Sequence, residues 1–229
     1  MAQAAYFTRD GLEFLKELKL HNDKPWFERN KERYEKGLRE PALRLASDLA
    51  PVLRKISKHI VVDARPNGGS VSRIYRDTRF SKDKSPYKTA LFLHFGHDGG
   101  REDAMPGFFL HIEPGASTLG GGVWHPGTQA LDRIRRAIFT GPVTWAKATA
   151  GAALGSGCMI AGESLKKVPR GYDPDHPHAE DLKRKDFGQH RPLSDAALVG
   201  KDLLGEIDDG FRAVKPLLQF LAKAVDLPF

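Results

Sequence analysis

The chain has 229 residues, is 40% hydrophobic and 28% charged, and carries a formal net charge of +7. That length and apolar content suit one core, so a single domain over residues 1–229 is expected, with no Ser/Gly linker or internal repeat to divide it. A lone cysteine, Cys158, excludes an intrachain disulfide framework and a thiolate metal cluster, and no run of roughly 18 apolar residues offers a membrane span, so the expectation is a cytoplasmic protein with no membrane partner.

Thr8 and Phe7 open the first predicted helix: the threonine caps it, the phenylalanine packs on Leu12, and Leu12, Leu15 and Leu18 repeat on one face. A second helix is expected from Pro25, anchored by Trp26, Phe27 and Tyr34. A third follows from Pro41, with Leu45, Leu49, Leu53 and Ile56 as its apolar stripe and a kink at Pro51. The period then falls from helical spacing towards two. Residues 59–62, 70–76, 89–95, 108–113 and 117–124 read as successive strands, punctuated by Asn67-Gly68-Gly69, Asp98-Gly99-Gly100 and Pro114-Gly115, which are turns short enough to join antiparallel neighbours. Helical spacing returns at 130–139 and 144–150, residues 159–168 read as a strand pair, and the tail from Ser194 is helical with a break at Gly210 or Pro216. Helices, a meander and helices again define an α+β fold, an antiparallel meander sheet flanked by N-terminal and C-terminal helices.

The charge is concentrated. Residues 73–88 hold six bases, Arg73, Arg76, Arg79, Lys82, Lys84 and Lys88, against two acids, Asp77 and Asp83, so more than half of the net charge lies in this one segment. Arginines at a spacing of three present planar forks for phosphate or carboxylate, lysines add point charges, and Asp77 and Asp83 can brace the guanidinium groups from behind. Tyr75, Phe80 and Tyr87 interleave with the bases, a pattern suited to stacking beside a neutralised nucleic-acid backbone. The expected function is binding of a phosphate-bearing small molecule or nucleic acid through Arg73, Arg76, Asp77, Arg79, Lys84, Tyr87 and Lys88. Two readings compete with it: an enzyme acting on a phosphorylated or carboxylated small molecule, with Asp77 or His125 as general base, and a purely structural Arg/Asp network.

Elsewhere, Gly120-Gly121-Gly122-Val123-Trp124-His125 sets three glycines before an aromatic ring and an imidazole. The imidazole of His125 suits acid–base work near neutral pH; the simpler account is a β-bulge with Trp124 in the core. Asp173-Pro174-Asp175-His176-Pro177-His178 offers Asp175 and His176 as metal ligands, although proline-restricted turn chemistry explains the same residues and no tightly bound zinc is expected. There is no P-loop, Gly-x-Ser-x-Gly elbow or paired-cysteine motif, so the sequence designates no cofactor.

The pattern Arg73-x-x-Arg76-Asp77-x-Arg79-Phe80-x-x-x-Lys84-x-Pro86-Tyr87-Lys88 resembles the signature of the domain of unknown function 2461 family, found mainly in bacteria. The resemblance extends to Trp26-Phe27-Glu28-x-Asn30-Lys31, to residues 106–114 and 121–126, to residues 169–177 from Pro169 to Pro177, and to Leu182-Lys183-Arg184-Lys185. It implies a one-domain protein and transfers no activity, cofactor or catalytic residue.

Overall fold

The structure, a computed structural model, describes residues 5–66, 68–99, 105–150 and 159–229, with backbone alone for 159–161; Asn67, Gly100 and Cys158 lie outside the described residues. Helix α1 (Arg9–Leu20) starts as its sequence dictates, with Thr8 Oγ1 accepting from Gly11 N at 3.2 Å and Leu12, Leu15 and Leu18 buried. Helix α2 (Lys24–Tyr34) is capped by Asp23, whose carboxylate accepts from Trp26 N at 2.8 Å. It then passes through a π-helical segment, Glu35–Arg39, into α3 (Glu40–Ile56) without leaving helical backbone angles. The second and third predicted helices are therefore one continuous rod, which runs through both Pro41 and Pro51. Burial of Leu45, Leu49 and Leu53 along its stripe outweighs the backbone bond that an internal proline removes.

Five strands follow: β1 (Leu91–Gly96), β2 (Gly107–Ile112), β3 (Thr118–Val123), β4 (Met159–Ala161) and β5 (Phe187–Pro192), ordered β1-β2-β3-β5-β4 with every neighbour antiparallel. The first three form the expected meander. The chain then leaves through α4 (Thr128–Thr140) and α5 (Pro142–Thr149), returns at the far edge as β4, passes α6 (Ala179–Leu182) and inserts β5 beside β3. After α7 (Asp195–Leu198), α8 (Leu203–Ala224) crosses the sheet. The α+β architecture with an antiparallel sheet between N-terminal and C-terminal helices is as the sequence indicates, and no described helix is long and apolar enough to cross a membrane.

Three local expectations change. Residues 59–62 and 70–76 are not full strands; they meet the sheet through single bridges, Ile60 to His97 and Val71 to Leu93, and so cover the edge of β1. Residues 159–168 are not a self-paired unit, since β4 pairs with β5 and Ser164 bridges Arg184. Helix α8 is unbroken at Gly210 and Pro216. Gly210 is instead the point of closest approach to the sheet, where a Cβ would lie 2.1 Å from Leu119 Cδ1. Beside it Phe211 packs on Phe108 with ring centroids 4.7 Å apart.

The strands bury Leu91, Leu93, Phe95, Phe108, Leu110, Ile112, Leu119, Val123 and Phe187 in the core that α8 completes. Alternation sends Phe92, His94, Phe109, His111, Thr118 and His190 to the opposite face. There β3 and β5 run close together: a Cβ on Gly122 would lie 2.2 Å from Phe187 O and 2.5 Å from Gly188 Cα. Backbone atoms cannot swing aside as a side-chain tip can. Gly122→Ala is therefore expected to destabilise the fold by about 3 kcal/mol, read as a lower midpoint of urea unfolding. A change below about 0.5 kcal/mol would show that the strands are not so tightly apposed.

Candidate functional site

The cationic segment is a hairpin. Arg76 N donates to Pro86 O at 2.9 Å, Lys88 N donates to Ile74 O at 2.7 Å, and Tyr75 bridges Tyr87, leaving residues 77–85 as the turn. Its base is fixed to the N-terminal helices by Tyr87. That ring is buried and stacks on Phe27 of α2 at 4.1 Å, while Tyr75 packs beside it at 5.5 Å. The side-chain amide of Asn22, in the α1–α2 turn, clamps the same residue twice, accepting from Tyr87 N and donating to Tyr87 O at 3.0 Å each.

The tip satisfies its own charges. Asp83 accepts from Ser85 N, Ser85 Oγ and Arg76 Nη1, and the serine bonds together with the guanidinium hold its carboxyl well below the usual carboxylate range. Asp77 takes Arg79 in a fork, with Nε 3.0 Å from Oδ1 and Nη2 2.7 Å from Oδ2, which lowers its pKa as well. Lys84 Nζ donates to Thr78 O at 2.9 Å. The two acids therefore brace arginines in the manner the sequence suggested. Beyond them Phe80 is 94% exposed, with the Arg79 guanidinium 5.7 Å over its ring.

Arg73 and Lys88 differ from Arg76 and Arg79, which hold acids, and from the exposed Lys82 and Lys84, which have no carboxylate partner among the described residues either, in lining a cleft. Among the described residues neither Arg73 nor Lys88 has a carboxylate within 4.0 Å. Lys88 is half-buried, and burial together with the neighbouring Arg73 charge pushes its ammonium below the ordinary lysine value. Both residues line a cleft of about 740 Å³ between α2, the π-helical segment, Pro66 and residues 68–75. Lys31 and Arg39 join them there against one acid, Glu35, which Arg39 already holds at 2.7 Å. Tyr34, Tyr75 and Phe27 supply aromatic walls, and burial with the nearby Glu35 charge pushes the Tyr34 phenol up to about 12. Lys88 also lines a second cavity of about 690 Å³ with Lys19, Arg76, Asp83, His111 and Glu113. Concave walls, a cationic excess and aromatic rings make this junction fit to hold an anion.

A third cavity, of about 540 Å³, lies on the exposed sheet face between Phe92, His94, Phe109, His111 and Trp124. Burial lowers the pKa of His94 and of His190, so these imidazoles are neutral near pH 7 and act as hydrogen-bond donors and acceptors rather than cations. The sequence reading did not single them out. The available signal was polar alternation within β1 and β2, which sets His94 and His111 on one face.

The other sequence candidates sit elsewhere. Trp124 is half-exposed, packing edge-on against Phe109 at 5.2 Å, and β3 keeps regular register with both neighbours, so no bulge buries the indole. His125 follows at a positive φ of 47°, its N–H donating to the buried Asp186 at 2.6 Å and its ring 81% exposed. It lies past the Gly96–Gly107–Gly122 end of the sheet, whereas the hairpin adjoins the Leu91–Ile112 end, so the structure does not bring Asp77 and His125 together. His176 uses both ring nitrogens locally: Nε2 meets Phe139 O at 3.1 Å and Nδ1 accepts from His178 N at 3.1 Å. Asp175 takes part in the same turn through its N–H to Asp173 Oδ1 at 2.9 Å. One cluster with metal-ligand chemistry escaped the sequence reading, His59, His97 and Asp98, whose donor atoms lie within 4.8 Å of one another. His97 already accepts from Gly99 N at 3.0 Å and bonds Pro228 O at 2.5 Å, which ties the C-terminal tail to the end of β1.

Fold and site together define an α+β protein whose antiparallel sheet is covered by a helix on one face and carries a cationic hairpin at one end. Residues 10–220 match the family described as conserved hypothetical protein (DUF2461), and the chain belongs to that family. No curated protein and no solved structure matches it.

Because Asn22 holds both backbone groups of Tyr87, Asn22→Ala is expected to cost about 2 kcal/mol in thermal or urea unfolding. Arg79→Ala removes only an exposed pair and should change stability by less than about 0.5 kcal/mol. Equal effects from the two substitutions would show that the clamp does not anchor the hairpin.

Proposed function

We propose that the protein binds a small molecule bearing a phosphate or carboxylate, held at Lys88 with Arg73 on one side and Arg76 on the other. The observation that carries this reading is the pairing state of the segment. Asp77 neutralises Arg79, while Arg73 and Lys88 face a concave surface as neighbouring cations with no carboxylate between them. Two like charges drawn together at a cost in desolvation are relieved when an anion enters. Arg73 then offers a planar fork, Lys88 a half-buried point charge, and Arg76 an oriented guanidinium steadied by Asp83. Binding has more support than catalysis, because Asp77 is engaged by Arg79 and His125 lies at the other end of the sheet. A structural network alone accounts poorly for the segment, since an exposed pair such as Arg79 with Asp77 contributes only about 0–1 kcal/mol.

A nucleic acid is the second reading, and the exposure of Phe80 favours it: an aromatic ring presented beside Arg79 and Lys82 is placed to stack on a base.

Calorimetric titration with inorganic phosphate and pyrophosphate separates the possibilities. Arg73→Ala and Lys88→Ala should each weaken binding about tenfold or more, the loss of one charge-assisted contact, while Arg79→Ala leaves it within about twofold. Absence of binding by the unaltered protein would contradict the proposal. For the nucleic-acid reading, a labelled single-stranded oligonucleotide should bind with an affinity that falls steeply with salt and is lost in Phe80→Ala. Retention of full affinity in Phe80→Ala would remove that reading.

A further inference from the structure

The sheet face opposite α8 is organised in transverse rows. Register sets Gly96, Gly107, Gly122 and Gly188 in one row across β1, β2, β3 and β5. His94, Phe109, Gly120 and His190 form the next, and Phe92, His111, Thr118 and Pro192 the third. The glycine row lets side chains of this face lie close on the sheet: Met105 covers Gly96, His94 covers Gly107, and the Trp124 indole covers Gly122 and Gly188. Trp124 and Phe109 form the walls: the indole lies against Gly188, where a Cβ would come within 2.3 Å of the ring, and meets Phe109 edge-on. Phe92 stacks on Phe109 at 5.9 Å and an interplanar angle of 19°, extending the aromatic wall towards the third row. The volume of about 540 Å³ suits a molecule of one or two rings.

The polar side chains that line this trough are few: the imidazoles of His94 and His111 and the hydroxyl of Thr118. His94, in the middle row, has its pKa lowered by desolvation and is able to donate to or accept from hydroxyls and ring heteroatoms at the edge of a planar ligand. No charged side chain lines the cavity among the described residues. The trough is nevertheless joined to charge at one end. Phe92 and His111 line both this cavity and the one that holds Lys88 and Arg76. An occupant that fills the apolar floor and reaches past His111 meets those cations.

We propose that the exposed sheet face seats the planar apolar body of the ligand whose acid group is held at Lys88, so that the ligand class is an aromatic or heteroaromatic phosphate or carboxylate. This rests on the anion reading above. The aromatic walls of Phe92, Phe109 and Trp124 account for a preference for flat rings, and the shared Phe92–His111 boundary for the attachment of ring to acid.

Three compounds measured by calorimetry test it: 2-naphthyl phosphate, inorganic phosphate and 2-naphthol. The unaltered protein should bind 2-naphthyl phosphate at least about tenfold more tightly than inorganic phosphate. Thr118→Trp, which fills the trough, and Trp124→Ala, which removes its wall, should each abolish that advantage while inorganic phosphate still binds as before. The retained phosphate affinity shows that the variants are folded. Equal affinity for 2-naphthyl phosphate and inorganic phosphate would overturn the trough assignment and leave the anion site standing. Binding of 2-naphthol that Thr118→Trp abolishes, with no binding of inorganic phosphate, would overturn the link between trough and anion site and the anion reading with it. Binding of none of the three would overturn both.

Discussion

Tyr87 is a buried aromatic in the middle of a run of charges, and the geometry of the site depends on how it is held. The stack on Phe27 and the double bond to Asn22 fix the backbone of residues 86–88 against the turn between α1 and α2. With Tyr87 inward, alternation turns its neighbours outward or sideways, and Lys88 lands half-buried between the N-terminal helices and the sheet. Its ammonium gives up part of its hydration there without meeting a carboxylate. A residue that loses solvent and gains no partner is costly in isolation, and such positions are characteristic of sites completed by a ligand.

The second constraint is the one-sidedness of the sheet. Helix α8 approaches β3 so closely that a Cβ at position 210 would displace the Leu119 side chain, and Phe211 fills the space beside it against Phe95 and Phe108. All of the large apolar residues of that face are then committed to one core. The other face carries three imidazoles and the rings of Phe92, Phe109 and Trp124 around a cavity, and it ends beside the hairpin. Core and candidate site are thus opposite consequences of the same alternation.

Much of this was legible in the sequence. The leucine spacing of α1 and the prolines and threonine near helix starts gave the N-terminal elements, and period-two patterns between glycine turns gave β1, β2 and β3. The cationic segment with its acids Asp77 and Asp83 stood out by charge, whereas its hairpin pairing of residues 74–76 with 86–88 did not. What escaped depends on tertiary partners. Strand β5 turns Gln189 and Arg191 inward, where Gln189 Nε2 donates to Thr149 O and Arg191 Nη2 to Glu206, so it lacks the apolar alternation that marks a strand. Pro51, Gly210 and Pro216 read as interruptions because their local preference says so; burial along α3 and α8 overrides it. The selection of Arg73 and Lys88 from six bases needed coordinates, because only geometry shows that Arg79 and Arg76 each already hold an acid and that Arg73 and Lys88, unlike the exposed Lys82 and Lys84, line the cleft. The imidazoles of the sheet face needed strand register, which sequence does not supply.

The account turns on Lys88 being an unneutralised, partly desolvated cation that an anion completes. Burial and Arg73 set its pKa below that of a free lysine, so folding is penalised while it is protonated and the penalty fades as pH rises through the lowered value. An anion bound between the two side chains must raise that pKa again. Nuclear magnetic resonance titration of the Lys88 side chain, with and without saturating phosphate, measures this directly. The account predicts a midpoint below the ordinary lysine value in the free protein and an upward shift when phosphate is present. A midpoint at the ordinary value that phosphate leaves unmoved would contradict it.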